Sequence, residues 1–352
     1  MKKKKIIFDA LVYFYRKYNF FIFNDIEIIL YLLSACGNLD EFKNFYEIFS
    51  KTKPSYITLK KIAFVSIMYD NINVFNFLNN KQPIEKDGEI LEPPILISAV
   101  KLKSIKILNY FLEKNDINIT DRNKKTALIW ALDLGYTKIA KLLIEKGANL
   151  DLQDNNGDTA LIIAIRNGYT EIAKLLIEKG AKLDLQNNMG NNAVILTAYY
   201  NHIEIAKLLI EKGAKLDLQN NDGDTALMKA AYYDYKKIVK LLIEKGAKLD
   251  LQNNDGETAL IIAAIYGHTE IVKLLIKKGS GLDLQNKWGN TALIEAAKNS
   301  HTEIVKLLID SGADLYIQNN DKKTALDLTK NNEIKQIILE AMEKQKEQQN
   351  KS

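Results

Sequence analysis

Only a few residues of this 352-residue chain have side chains suited to acid–base or metal chemistry. The three histidines, His202, His268 and His301, could transfer a proton or bind a metal, but they are 66 and 33 residues apart. This spacing predicts equivalent positions in different structural layers, with no cysteine or carboxylate cluster at ligand spacing beside them. Cys36 is the single cysteine, so the chain can form neither an intrachain disulfide nor a multi-thiolate zinc site.

Other signatures of catalysis are missing from the sequence. It contains no glycine-rich phosphate loop, no Gly-x-Ser-x-Gly elbow and no Cys/His nucleophile pair. Carboxylates are common, but many recur with one period, as do Asp184, Asp217, Asp250 and Asp283. Such recurrence is typical of turn formers and not of a catalytic pair. We therefore expect no enzyme activity, no cofactor and no metal.

The charge of the chain does not demand a polyanionic partner. Its 49 Lys and Arg residues and 44 Asp and Glu residues leave a formal net charge of +5, and the lysines are scattered along the sequence. A basic stripe on one face is not expected, so neither is binding to nucleic acid. We expect a monomer that binds a protein partner and not a membrane.

Two segments near the N-terminus bear on the location of the protein. Residues 2–8 resemble the opening of a secretory signal, but Asp9 interrupts the apolar run. Residues 33–36 (Leu-Ser-Ala-Cys) match the pattern at which bacterial lipoproteins are lipidated, but the apolar run before them is short. We predict a cytoplasmic protein, with export or lipidation at Cys36 as the alternative.

Two independent markers recur every 33 residues. Glycine stands at Gly147, Gly180, Gly213, Gly246, Gly279 and Gly312. Threonine stands at Thr126, Thr159, Thr225, Thr258, Thr291 and Thr324, and Asn192 fills the gap in that series. A fixed period of this length indicates a repeat architecture, in which each unit completes its core by stacking on its neighbours.

Residues 154–186 illustrate one unit. Thr159 is predicted to cap a short first helix, whose nearly all-apolar sequence requires burial on most sides. Gly168 can adopt the left-handed conformation that ends this helix. Thr170 is predicted to cap a second helix, which is apolar on one face only. Residues 183–190 are rich in turn formers and predict a hairpin-like loop that leads to the next unit.

This repeat resembles that of the ankyrin family, Asp-x-x-Gly-x-Thr-Pro-Leu-His followed by Gly-His-x-Glu-Ile-Val-Lys-Leu-Leu. The likeness is clearest in residues 254–264 (NDGETALIIAA) and 267–275 (GHTEIVKLL), and it extends from residue 121 to about 340. Alanine replaces the proline of the pattern, as at Ala259, and an apolar residue usually replaces its histidine, as at Ile261. The resemblance implies an all-α ankyrin-repeat solenoid of about ten helix-turn-helix units with β-hairpin-like loops. It also implies a structural role for the three histidines.

The strength of the pattern divides the chain into four segments. Residues 1–23 are predicted to form an N-terminal cap or extra helix, and residues 24–93 to form degenerate ankyrin-like repeats. Residues 94–342 are predicted to hold regular repeats, including a C-terminal capping repeat. Residues 343–352 are predicted to be a flexible tail, either disordered or a frayed helix. The stretch 79–94 holds three of the four prolines, so it is either a long loop within one stack or a hinge between two.

Residues that vary on a constant scaffold are better candidates for function than residues that repeat. In the ankyrin family, partners usually lie on the concave side, which is formed by loop tips and the exposed ends of the first helices. Carried onto this chain, those places hold Met189, Tyr199, Tyr200, Tyr232, Tyr233, Tyr266 and Trp288. Tyrosine and tryptophan concentrate binding energy because they combine large rigid apolar area with a hydrogen-bonding edge. The alternative is that these rings only pack against each other between layers.

Acidic residues of the loop tips stand beside these aromatic residues. They are Asp158, Asp222, Asp224, Asp255 and Glu257. Opposite charge and hydrogen bonding would suit them to a partner with basic or amide-rich character.

The sequence as a whole predicts a non-catalytic scaffold that binds a protein partner on the concave surface of its middle repeats. One alternative places an enzyme in the poorly matching residues 1–93, with the repeats selecting its target, although that segment lacks histidine. Another is a membrane-associated module that uses the lysines at 2–5 and the aromatic run 13–23. Against it, the same run would serve as a cap helix that buries Phe14 and Phe20 on the first repeat.

Overall fold

The computed structural model describes residues 39–50, 62–63, 65–81, 94–113 and 116–349. Within these ranges the chain is helical, and its only strand-like feature is one isolated antiparallel bridge between Thr120 and Thr126. The helices are Leu39–Ser50, Ile72–Lys81, Ile95–Lys101, Ile105–Leu112, Ala127–Asp133, Thr137–Glu145, Ala160–Arg166, Thr170–Glu178, Ala193–Tyr200, Ile203–Glu211, Ala226–Tyr232, Lys236–Glu244, Ala259–Tyr266, Thr269–Lys277, Ala292–Lys298, Thr302–Asp310, Ala325–Leu328 and Asn332–Gln349. The predictions for residues 1–38, including the N-terminal cap and lipidation at Cys36, lie outside the described residues.

The first helix of each regular repeat is short and buried. In Ala160–Arg166, every residue from 160 to 165 is at most 2% exposed, which explains the nearly all-apolar sequence. The helix begins where Thr159 accepts a hydrogen bond from the backbone N–H of Ile162 at 3.3 Å. The same cap recurs at the predicted threonines, and the side chain of Asn192 takes their place by accepting from Ile195 at 2.9 Å. The predicted caps of the first helices are therefore confirmed.

The second helices begin differently from the prediction. In Thr170–Glu178 the N-cap residue is Tyr169, which makes no side-chain cap hydrogen bond, and Thr170 is the first residue of the helix itself. The prediction that Thr170 caps this helix was wrong. The predicted amphipathic pattern is confirmed, since Ile172 and Leu176 are buried while Glu171 is exposed. The helix is followed by Gly180, whose φ of 86° is one that glycine adopts without strain.

The loops connect each repeat to the next by side-chain hydrogen bonds. Gln186 donates to the backbone oxygen of Gln219 at 2.9 Å. In the same way, Gln219 donates to the backbone oxygen of Gln252, and Gln252 to that of Gln285. The carboxylate of Asp184 accepts from the backbone N–H of Lys215 at 2.9 Å, and Asp217, Asp250 and Asp283 make the equivalent bond. The recurrent carboxylates are therefore structural, because they bind the backbone of the following repeat.

The chain folds into two compact units, residues 1–155 and 156–352. The second unit holds consecutive helix pairs and carries the candidate site. Its last helix, Asn332–Gln349, continues beyond Met342 into the predicted flexible tail. Residues 343–349 are thus helical.

In the first unit, the degenerate residues 65–81 pack directly on the next helix pair. The carboxylate of Asp70 accepts hydrogen bonds from the Ser104 hydroxyl at 2.7 Å and from the backbone N–H of Lys106 at 2.9 Å. The rings of Phe75 and Phe111 meet edge to face at 5.3 Å. These contacts are of the kind that joins neighbouring repeats.

Candidate functional site

Five tyrosines from three consecutive repeats form a continuous row of rings, which we call the tyrosine ladder. In order along the row they are Tyr200, Tyr199, Tyr233, Tyr232 and Tyr266. They lie at or just after the C-terminal ends of the first helices of their repeats. Successive ring centroids are 4.8, 5.2, 4.8 and 4.7 Å apart, and every pair meets edge to face. This geometry is favourable because the positive edge of one ring meets the negative face of the next.

The ladder is exposed even though its rings touch. Tyr199, Tyr200, Tyr232 and Tyr266 keep between 37% and 48% of their surface accessible, and Tyr233 is half-buried. The rings do pack against each other between repeats, as the alternative to a binding role requires. A large part of their surface nevertheless remains open to a partner.

The ladder tyrosines also shift the pKa values of their neighbours. A side-chain hydrogen bond with Tyr199 raises the pKa of Tyr233 above its ordinary value, and burial raises it further. Burial raises the pKa of Tyr266, and a side-chain hydrogen bond with Tyr232 adds to this effect. The row therefore offers neutral hydroxyl groups together with apolar ring faces.

Two grooves lie beside the ladder, between the loop tips and the first helices. The first, which we call the methionine groove, has a volume of about 490 Å³. Met189, Tyr199 and Tyr200 line it together with Arg166 and Lys229. Met189 is 66% exposed, and its unbranched thioether can adapt to an irregular apolar surface.

The second groove, which we call the acidic groove, has a volume of about 470 Å³. Tyrosine rings and carboxylates dominate its lining, namely Tyr232, Tyr233, Tyr266, Asp222, Asp224, Asp255 and Glu257. Lys229 and Asp222 line both grooves. Both volumes fall within the range of pockets that bind small molecules.

Trp288 stands apart from the other predicted site residues. It lies on a loop tip, is 46% exposed and lines neither of these two grooves. The ammonium group of Lys287 lies 4.5 Å from its ring centroid, and Lys287 also forms an ion pair with Asp255. The structure thus brings Met189 and the five tyrosines together, while Trp288 belongs to a neighbouring loop.

The predicted acidic edge is less uniform than the sequence suggests. Asp158 is buried and forms an ion pair with Arg166. Asp224 is paired with Lys229 at 2.6 Å, and Asp255 with Lys287. Neighbouring side chains therefore compensate the charge of three of these five carboxylates.

The histidines have the structural role that the resemblance implied. The Nε2 atom of each lies near a backbone carbonyl of the preceding repeat: 3.0 Å from Ile165 for His202, 3.1 Å from Tyr232 for His268 and 3.0 Å from Ile265 for His301. Since a carbonyl oxygen only accepts, each Nε2 donates the proton. These imidazoles therefore connect neighbouring layers.

Sequence reasoning missed Lys229, which lines both grooves. The signal was present in the repeat alignment, because Ile163, Leu196 and Ile262 occupy the equivalent position. From Trp130 to Leu328, Lys229 and Glu295 are the two charged residues at this repeat position, and a charge among apolar residues indicates a locally altered surface. Arg166 likewise lines the methionine groove and neutralises Asp158.

Comparison with known proteins places the chain in a family. The family model described as ankyrin repeats (3 copies) matches residues 96–187, 179–253 and 246–319, which is more than half of the chain. The chain belongs to the ankyrin repeat family. Ankyrin repeats are generally protein–protein interaction modules, and proteins of this fold are typically non-enzymatic scaffolds.

Solved structures of ankyrin repeat domains are similar to the chain. The ankyrin repeat domain of Bcl-3, described as a unique member of the IkappaB protein family, is 27% identical and matches with a TM-score of 0.55 over 61% of this chain and 98% of that one. The ankyrin repeat domain of human ASB11 is also 27% identical, with a TM-score of 0.54 over 62% of this chain and 98% of that one.

A curated relative matches over a short segment. The acyl-CoA-binding domain-containing protein 6 homolog of Dictyostelium discoideum is 60% identical over 38 residues. This segment covers 11% of the present chain and 13% of the relative, little more than the length of one repeat.

The alternatives placed in residues 1–93 fall largely outside the described residues. In the part of the chain that the structure describes, no helix is both long enough and apolar enough to cross a membrane.

Proposed function

We propose that this protein is a non-catalytic scaffold that binds a protein partner through the tyrosine ladder and the two grooves beside it. The single observation that carries the proposal is the unbroken row of five tyrosine rings across three repeats, four of them more than one-third exposed. In the family, such places on the concave side are where partners usually bind. This role suits a monomer in the cytoplasm. Light scattering of the purified protein tests the monomeric state, and cell fractionation tests the location.

The ladder has the properties of an interaction surface. Its rings are held in place by their mutual contacts, so little side-chain entropy is lost when a partner binds. Tyrosine is enriched among the few interface residues whose truncation costs more than about 2 kcal/mol of binding free energy. The adjacent grooves provide the concave sites into which protruding side chains of a partner can fit.

Affinity capture with the full chain tests this proposal. The variant Tyr200→Ala/Tyr233→Ala removes one ring at an end of the ladder and one at its centre. Tyr316→Ala is the matched control, because Tyr316 is 49% exposed and belongs neither to the ladder nor to the two grooves. Circular dichroism verifies that all three proteins fold alike.

We expect the wild type and the Tyr316→Ala control to retain the same partner, identified by mass spectrometry. Binding of that partner, once purified, should weaken at least about tenfold for the double variant, because two interface tyrosines are lost. Equal affinity of all three proteins for the purified partner would show that the ladder is not the binding surface.

A further inference from the structure

One position of the repeat holds a charged loop residue that pairs with the first helix of its own repeat. Lys125 binds Asp133 at 2.5 Å, and Asp224 binds Lys229 at 2.6 Å. Asp158 pairs with Arg166 in the same way. Residues 125, 158, 224 and 257 occupy the same place in their repeats, since they differ by multiples of 33.

Glu257 departs from this pattern although it is half-buried, whereas Lys323, which also forms no ion pair with a described residue, is exposed. Ile262 and Ile265 occupy the helix positions that correspond to Lys229 and Arg166, so the first helix supplies no cation. Among the described residues, no Lys, Arg or His forms an ion pair with Glu257, although its side chain is half-buried. The groove therefore contains a partly desolvated carboxylate without a compensating charge, which is unfavourable.

The surroundings of Glu257 increase this cost. Burial raises the pKa of Glu257, the Asn253 side chain opposes the rise by hydrogen bonding, and the nearby carboxylates of Asp255 and Glu295 raise it further. Asp222, which also lines this groove, likewise forms no ion pair with any described residue. The lysines nearby are already engaged, because Lys229 is paired with Asp224 and Lys287 with Asp255.

Tyrosine rings also line the acidic groove. Tyr232, Tyr233 and Tyr266 line it, and the rings of Tyr232 and Tyr266 meet at 4.7 Å. A cation over the face of a tyrosine is attracted by the ring quadrupole. An arginine suits this combination best, because its planar guanidinium can stack on a ring while it donates two hydrogen bonds to a carboxylate.

We infer that the acidic groove binds an arginine side chain of the partner protein, with Glu257 as its counter-ion and the Tyr232, Tyr233 and Tyr266 rings as its walls. This inference rests on the proposed function and defines the chemistry of the partner at that surface. Charge complementarity separates the two grooves, because Arg166 lines only the methionine groove, whereas Asp255 and Glu257 line only the acidic groove. The arginine therefore enters the acidic groove and not its neighbour.

A pair of short peptides tests the inference without knowledge of the partner. The probe is acetyl-Gly-Gly-Arg-Gly-Gly-amide, and its control replaces arginine with citrulline, which has the same shape but no charge. Each is titrated into the full-length protein, and NMR follows the ring signals of the ladder tyrosines. We expect the arginine peptide to shift the signals of Tyr232, Tyr233 and Tyr266 and to bind at least about fivefold more tightly than the citrulline peptide.

Variants of the protein locate the interaction. Glu257→Gln should weaken arginine-peptide binding about five- to tenfold, because the counter-ion is lost while the volume is kept. Glu204→Gln is the control, since Glu204 lies on a second helix, is paired with Lys207 and lines neither groove. Equal binding of both peptides, no binding of the arginine peptide, or an unchanged affinity in Glu257→Gln would each overturn the inference.

Failure of this inference and failure of the proposed function are distinguishable. If the partner is lost with Tyr200→Ala/Tyr233→Ala but the arginine peptide does not bind, the ladder is an interaction surface and the arginine site is wrong. If the peptide binds as expected but partner binding is unaffected by the tyrosine substitutions, the groove binds cations and the proposed function is wrong.

Discussion

The imidazole of His301 lies directly against Gly267, the left-handed residue that follows the first helix of the preceding repeat. Nε2 of His301 donates to the Ile265 carbonyl at 3.0 Å, which holds the ring in place. A Cβ atom added to Gly267 would lie 2.6 Å from Cε1 of this ring. At the equivalent Gly168 the nearest atom is Cε1 of His202, and it would be 3.9 Å away. The two glycines therefore differ in their surroundings although both have φ above 70°.

We predict that Gly267→Ala destabilises the protein more than Gly168→Ala. Both substitutions place a Cβ in the left-handed region, at a cost of about 1–2 kcal/mol. Gly267→Ala must also displace the His301 ring and weaken its hydrogen bond, which adds about 1 kcal/mol. The midpoint of thermal unfolding, followed by circular dichroism, measures both effects.

The variant His301→Ala provides the control for this comparison. In that background the added methyl group of Gly267→Ala meets no ring, so the substitution should cost about as much as Gly168→Ala. If the cost of Gly267→Ala is the same with and without His301, steric contact with the imidazole is not its cause.

The cap residue Asn192 supports a second prediction. Its Oδ1 accepts from Ile195, as the threonines do elsewhere, but its Nδ2 is buried and has no hydrogen-bond partner. Asn192→Thr keeps the cap and removes the unsatisfied amide group, so we expect unfolding to require about 1 kcal/mol more. Asn192→Ala removes the same amide group but also loses the cap, so it should be about 1 kcal/mol less stable than Asn192→Thr. Chemical denaturation measures both, and a destabilised Asn192→Thr would contradict the prediction.

A third prediction concerns the hydrogen bond within the tyrosine ladder. Because the side-chain hydrogen bond with Tyr199 is the main cause of the raised pKa of Tyr233, Tyr199→Phe should lower that pKa towards its ordinary value of about 10. The ¹³Cζ chemical shift of Tyr233, followed against pH by NMR, reports the change. Tyr200→Phe is the control, since Tyr200 is not among the groups that shift Tyr233. Equal pKa values of Tyr233 in the wild type and Tyr199→Phe would rule out this hydrogen bond in solution.

The raised pKa of Tyr233 also makes the stability of the protein depend on pH. With a raised pKa in the folded state, Tyr233 retains its proton above pH 10 while an unfolded chain loses it, so stability falls as the pH rises above about 10. Tyr199→Phe should make that fall smaller.

The sequence was sufficient to predict the repeats, because their caps and turns depend on local residue types. Threonine recurs at the position of Thr159 because it makes the N-cap hydrogen bond. Glycine recurs at the position of Gly180 because it adopts the left-handed turn without strain. The misassigned cap at Thr170 has a physical reason as well. The chain enters the second helix from Tyr169 with φ of −80° and ψ of 70°, where no side-chain cap bond forms.

The candidate site was only partly predictable. The aromatic residues stood out because they interrupt the repeat, and five of them do form one row. Their neighbours could not be derived from one repeat at a time, since the Tyr199–Tyr233 and Tyr232–Tyr266 contacts join different repeats. The pairing of Asp158 with Arg166, and the lack of such a pair at Glu257, depend on helix positions eight residues away in sequence.

The last prediction concerns the stability cost of Glu257. Because its pKa is raised in the folded state, the folded protein binds this proton more tightly than the unfolded chain does. Stability therefore falls as the pH rises above the unfolded pKa of about 4.3, and the full penalty is present above the folded pKa. Glu257→Gln removes the charge, so its thermal midpoint should exceed that of the wild type by roughly 1–3 °C at pH 7.

Measurement across pH separates this charge effect from packing. The advantage of Glu257→Gln should vanish near pH 3.5, where the wild-type carboxyl group is itself neutral. Asp158→Asn, at the same repeat position, should do the opposite at pH 7 and lower the midpoint, because Arg166 loses its buried partner. A Glu257→Gln variant less stable than the wild type at pH 7 would mean that the chain itself stabilises this carboxylate. Glu257→Gln is thus expected to stabilise the fold and to weaken arginine binding. A residue that serves recognition at the expense of stability should show both effects when it is replaced.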